Sequence, residues 1–385
     1  MPLSASALEP ILRVAIVDGI GPGRLSKLMA RFGSAERILA ARADDLAEVD
    51  GVGRVLVRRL RDAATDQGRE RARTAMAVME KAGAVALTPD DAAYPDAFRK
   101  LGDPPYLLFA AGDLGLLASE GLAVVGTRTP SRYGLHTTTT LVDTVSRADL
   151  TIVSGMARGI DAAAHATALA AGGGTIGVLG NGIEQAYPAE NARLFQQVRE
   201  KGLLITEFAP GEQPNGGNFP RRNRLIAALS LAVLVVEMGE KSGAWHTVEY
   251  ALEMGKDVFA VPGPISSEVS AGTNRLLKDG ASLVTSARDI LEGLRGVGRA
   301  FASPTLASSA KPAAPVVPDA PPAPPLDLAP DEAAVFAALA TEARHVDELA
   351  AASGLASSNV LAALLGLELR DLAVSMPGKQ YRLGG

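Results

Sequence analysis

At 385 residues the chain is too long for one compact domain, and 47% apolar against 21% charged residues marks a globular protein with a sizeable core. Absent cysteine excludes disulfides, and four histidines leave little for a structural metal site, so no metal or cofactor is expected. The net charge of −5 is uneven: 13 basic against 10 acidic residues over 1–75, 19 against 24 over 80–296, and 4 against 8 over 327–385, a pattern of local basic patches.

The chain opens without a signal-peptide pattern, because Glu9, Arg13 and Asp18 interrupt its first apolar stretch. No apolar run reaches the length of a bilayer span, which points to a cytoplasmic protein without membrane contact. Residues 1–75 read as a small helical domain of the helix-hairpin-helix/SAM-like kind. Within it, Asp18-Gly19-Ile20-Gly21 is echoed by Asp50-Gly51-Val52-Gly53, each a glycine turn before a helix. Such turns let backbone N–H groups approach a phosphate, and they equally serve as tight helix connections.

Residues 80–296 alternate strand and helix. Apolar runs at 122–126, 151–155, 175–180, 203–207, 232–238 and 258–263 are separated by helical stretches, the pattern of a Rossmann-like, doubly wound, mainly parallel sheet. In such folds ligands bind beyond the carboxyl ends of the strands, where three segments concentrate polar chemistry. The first is Gly126-Thr127-Arg128 with Ser131-Arg132, a glycine turn whose free N–H groups, hydroxyls and guanidinium would take an anion. The second is Ser154-Gly155-Met156-Ala157-Arg158-Gly159, which lacks the G-x-G-x-x-G spacing of dinucleotide sites. Asp161 and His165 follow it four residues apart, read as a helix-start aspartate above a packed histidine rather than an acid–base pair. The third is Phe219-Pro220-Arg221-Arg222-Asn223-Arg224 at a helix start, where the dipole disfavours cations, so phosphate is the expected counterpart. Lys241 and Ser242 extend the anion surface, and Phe219, Tyr133 and Tyr187 are candidate base-stacking rings. The lone Trp245 reads as core.

Nine prolines over 302–330 predict an extended linker. Beyond it, 331–385 reads as three helices and a hairpin, a winged-helix-like module whose acidic balance suits a protein partner better than a DNA groove.

With these motifs in one order, residues 80–296 resemble the DNA-processing protein A (DprA/Smf) family. The resemblance rests on Tyr94-Pro95, Asp103-Pro104-Pro105, Val125-Gly126-Thr127-Arg128, Ser154 to Asp161 with Ala164-His165, Tyr187-Pro188, Phe219 to Arg224, and Val261-Pro262-Gly263. It implies a non-enzymatic homodimer that coats single-stranded DNA during natural transformation, protects it and helps load the RecA recombinase. It also implies DNA contacts at Arg128 and at Arg222–Arg224. The segment Ala244-Trp245-His246 departs from the family's Ser-Leu-Ile. A rival reading is a nucleotide-processing, phosphoribohydrolase-like enzyme, for which Gly243 to Glu249 is a loose echo and Glu249 or Asp161 the needed carboxylate.

Overall fold

The structure is a computed structural model that describes residues 3–295, 328–340, 344–368, 370, 372–376 and 380–383. The expected linker, up to residue 327, lies outside the described residues. The chain divides into two compact units, 1–305 and 306–385.

The first unit begins with six helices: α1 (Ala5–Ala15), α2 (Pro22–Phe32), α3 (Ala35–Ala40), α4 (Ala43–Ala47), α5 (Arg54–Ala63) and α6 (Asp66–Lys81). Both glycine turns do start helices. Gly21 and Gly53 are the N-caps of α2 and α5, and Gly19 and Gly51 take positive φ of 92° and 80°, which glycine adopts without strain. These helices extend past residue 75 and do not close a core of their own. Leu12, Leu28, Ile38 and Leu60 pack in one continuous cluster with Leu107, Phe109, Phe195 and Leu204 of the sheet and its helices.

The chain then runs β1 (Val85–Leu87), α7 (Asp96–Arg99), β2 (Leu108–Gly112), β3 (Gly121–Val125), α8 (Arg132–Arg147), β4 (Thr151–Ser154), α9 (Ile160–Ala170), β5 (Thr175–Val178), α10 (Ala192–Lys201) and β6 (Leu203–Thr206). It continues α11 (Asn218–Leu229), β7 (Ser230–Val235), α12 (Trp245–Glu253), β8 (Asp257–Ala260), α13 (Ala271–Lys278), β9 (Ser282–Leu283) and α14 (Ala287–Arg295). All six expected strands are present, and three more, β1, β2 and β9, are added at the edges.

The nine strands lie in the order β1-β2-β6-β5-β4-β3-β7-β8-β9. From β6 to β9 every pairing is parallel, while β1–β2 and β2–β6 are antiparallel. Side chains of α8, α9 and α14 cover one face through Leu141, Val145, Ala164, Ile290 and Leu294. Those of α7, α11 and α12 cover the other through Phe98, Leu225, Ile226 and Val248. Strand succession runs one way from β3 to β6 and the other way from β7 to β9, so the topological switch point falls between β3 and β7.

The second unit folds as α15 (Pro330–Ala338), β10 (Arg344–His345), α16 (Val346–Ser353), α17 (Ser357–Glu368), β11 (Ala373–Met376) and β12 (Gln380–Leu383), with its own core around Val335, Leu349, Val360 and Leu364. Three helices and a three-stranded sheet ordered β10-β12-β11 form a winged helix. No single helix among the described residues is long and apolar enough to cross a membrane.

Candidate nucleic-acid interface

A cleft of about 1240 Å³ opens over the switch point. Its walls are the turn after β3 (Gly126, Thr127, Arg128), the start of α11 (Phe219, Arg222, Asn223) and the loop after β7 (Lys241, Ser242, Gly243). Its position follows from topology: neighbouring strands whose helices leave in opposite directions open a crevice between their loops.

The turn after β3 is built on Glu237. The Ser131 N–H and hydroxyl both donate to the Glu237 carboxylate, at 2.8 and 2.5 Å, and the Thr127 N–H donates to the Glu237 carbonyl at 2.8 Å. The start of α8 therefore carries its own carboxylate, which takes the Ser131 N–H and hydroxyl expected to meet an external anion. The turn after β4 repeats the device. Oδ2 of Asp161, in the first turn of α9, accepts from the Gly155 N–H at 3.1 Å and the Ala157 N–H at 3.4 Å. Ser154 is buried and its hydroxyl donates to the Val124 carbonyl at 2.7 Å, stitching β4 to β3. Gly159 holds a φ of 75°, and a Cβ there would meet the Thr127 carbonyl oxygen at 2.4 Å, so only glycine lets the two turns touch.

The arginine-rich start of α11 is the chief correction. Arg222 is 4% exposed, and its Nη1 donates to the Gly155 carbonyl at 2.8 Å and to the Val178 carbonyl, bridging the ends of β4 and β5. Burial lowers its pKa to about 10, offset in part by Asp161 and lowered further by Arg128. Burial likewise pushes the Asp161 carboxyl up, while Arg222 and the two N–H groups pull it back. Arg224, 7% exposed, donates to Glu207 at 2.7 Å and to the Asp103 carbonyl at 3.1 Å. Arg221 reaches Asp103 at 3.1 Å and Glu207 at 3.7 Å. Asp103 and Glu207 thus supply the anions that the helix start requires, and Arg221 and Arg224 are not among the residues lining the cleft. The guanidinium groups after the separate strands do not merge into one cationic track.

What remains in the cleft is narrower. Arg128 and Lys241 are exposed there with no ion-pair partner among the described residues. Glu240 and Glu268 share the rim. Asn223 lines the floor, its Oδ1 accepting from Arg222 Nε at 3.2 Å. Arg132 is exposed at the first position of α8, outside the lining, and Arg158 is exposed beside Glu190 at 3.5 Å. Of the candidate rings, Tyr187 and Phe219 come together, stacked at 5.3 Å and 21° along the cleft wall, with Tyr187 44% exposed. Tyr133 instead donates its hydroxyl to the Pro262 carbonyl at 2.9 Å. Trp245 packs against the core with the Arg275 guanidinium over its ring at 5.5 Å.

Glu237, Glu207 and Asp103 are the residues that sequence reasoning missed as site builders. Their signal was available, since Glu207 and Glu237 directly abut apolar strand runs, where an ionised side chain is costly without a partner. Of the two carboxylates offered to the enzymatic reading, Asp161 lines the cleft but is buried and accepts from the Gly155 and Ala157 N–H groups, while exposed Glu249 faces His246 at 3.3 Å and does not line it.

A doubly wound sheet with a crevice at its switch point, a helical head packed on one face and a separate winged helix define a Rossmann-like protein of composite build. The chain belongs to the DprA/Smf family: the model of DNA recombination-mediator protein A matches residues 85–295, and that of the DprA winged helix domain matches 318–379. Protein Smf of Synechocystis sp. is 34% identical over 393 residues, covering 95% of this chain and 96% of that protein. The X-ray structure of DNA processing protein A from Streptococcus pneumoniae is similar at a TM-score of 0.64 and 32% identity, over 76% of this chain and 98% of that one. DNA processing protein A from Helicobacter pylori matches at a TM-score of 0.51 and 32% identity, over 55% of this chain and 96% of that one, and its structure is described for a single-stranded DNA binding mode.

Proposed function

We propose that the cleft binds single-stranded DNA without sequence preference. The observation that carries this reading is the pairing, in one crevice, of two exposed cations without an ion-pair partner among the described residues, Arg128 and Lys241, with the exposed face of the Tyr187–Phe219 stack. Cations take phosphates, and an aromatic face accepts any base, so neither contact encodes sequence. The Gly126-Thr127 turn and Asn223 shape the path between them. The chain acts as a binding protein rather than an enzyme. It works as a cytoplasmic homodimer that shields incoming DNA in natural transformation and hands it to RecA, in keeping with what the family resemblance implies.

Two phosphate contacts give a log–log salt slope of about −1.4 for a single strand, at about 0.7 per phosphate. Titrating fluorescent oligo-dT across salt concentrations is the test. Arg128→Ala lowers the slope to about −0.7 and Tyr187→Ala weakens binding by about 1–3 kcal/mol with the slope kept. Unchanged binding in both variants rejects the cleft as the site.

A further inference from the structure

We propose that the outer face of α5 is a second nucleic-acid surface, which takes the phosphate backbone of duplex DNA. Arg54, Arg58 and Arg61 stand at i, i+4 and i+7, so they share one stripe about 10 Å long. All three are exposed, while Val57, Leu60 and Ala63 of the same helix are buried in the core. Arg54 and Arg58 have no ion-pair partner among the described residues, and the Arg61 Nη1 donates only to the Ala41 carbonyl, at 3.4 Å. The acids nearby are mostly engaged: Asp50 with Lys27 at 2.7 Å and Asp18 with Arg59 at 2.8 Å. Asp62, exposed, stands one turn on from Arg58 and next to Arg61, at the flank of the stripe.

The stripe starts at an open helix end. Gly53 caps α5 without a side-chain bond, no acid occupies the first turn, and a Cβ at Gly53 would meet nothing within 4 Å. The matching end of α2 is already filled: a Cβ at Gly23 would lie 3.0 Å from both carboxylate oxygens of Asp103. The two turns are neighbours, joined by Arg24, which donates to the Gly19 carbonyl at 2.8 Å and the Gly51 carbonyl at 3.0 Å. One copy of the near-repeat thus meets an internal carboxylate, and the other, beside three arginines, is left facing outward.

The absence of rings separates this surface from the cleft. Phe32 is the only aromatic residue in 1–75, and it packs against the core. With no face for an unstacked base, a rigid row of guanidinium groups fits a ligand whose bases are paired inside and whose phosphates keep a fixed spacing.

The test uses the full chain with a short blunt duplex and, in parallel, oligo-dT. In the triple variant Arg54→Gln/Arg58→Gln/Arg61→Gln the duplex salt slope falls by about 2.7, at about 0.9 per phosphate, with duplex affinity lost and the oligo-dT titration unmoved. The double variant Arg54→Gln/Arg58→Gln keeps the Ala41 contact and guards against a folding defect; its slope falls by about 1.8. An unchanged duplex slope overturns the proposal and leaves the stripe to solvent or to an acidic protein partner. Equal loss of duplex and oligo-dT binding overturns it too, placing the stripe on the single-strand path. Because the two probes are read separately, failure here leaves the assignment of the cleft standing.

Discussion

Gly155 leaves room for two charged groups that any side chain would displace: a Cβ there would lie 2.6 Å from Arg222 Nη2 and 2.9 Å from Asp161 Oδ2. The glycine makes room for two buried groups of opposite charge beneath the cleft, and Arg222 is the strut of that floor. Removing it strands Asp161 and two strand-end carbonyls, so Arg222→Ala costs about 3–5 kcal/mol of stability in a chemical denaturation experiment. Arg128→Ala, at an exposed site, stays within about 0.5 kcal/mol of the parent and acts through DNA affinity instead. The sequence marks the Arg221–Arg224 segment as a concentration of charge that calls for an anion, with phosphate the expected one. It could not reveal which anions, because Asp103 lies 118 residues from Arg221 and is brought to it only by the fold.

At the scale of elements, α9 is tied to the sheet through His165. Its Nδ1 donates to the Thr175 hydroxyl at 2.7 Å, since that hydroxyl's own proton goes to the Ile152 carbonyl at 3.0 Å. The ring is fully buried, which lowers its pKa to about 3, chiefly by desolvation and further by Arg222. The unfolded chain takes up a proton near pH 6.5 that the folded chain refuses until about pH 3. Stability from this group is therefore complete above pH 6.5 and declines as pH falls, by about 2 kcal/mol between pH 7.5 and 5. Denaturant titrations at the two pH values, with His165→Gln expected to flatten the dependence, check the sign and the size. The long apolar strands were legible because a parallel sheet covered on both faces writes continuous apolar runs. The missed strands were not: β1 and β9 have three and two residues, and β2 is rich in alanine and glycine.

Across the whole molecule, the division at residue 75 that composition suggested does not coincide with a break in packing. The head shares its core with β2, β6 and α10. A chain lacking residues 1–81 exposes Leu107, Phe109 and Leu204, so it aggregates or binds the hydrophobic dye ANS, whereas a 1–305 fragment remains folded and retains oligo-dT binding. Size-exclusion chromatography and dye fluorescence separate the two outcomes. Charge imbalance along the chain was visible from composition. The merging of two stretches into one body was not, because amphipathic helices read alike whether they cover each other or a sheet.

That shared core also turns the first unit into a caliper. Since α5 and the crevice above β3 and β7 belong to one compact unit, their separation is set by the packing between them. If both surfaces take nucleic acid at once, a ligand lying on the two must bring its paired and unpaired stretches to that span, and the length of overhang beside a duplex would then be a quantity the protein gauges.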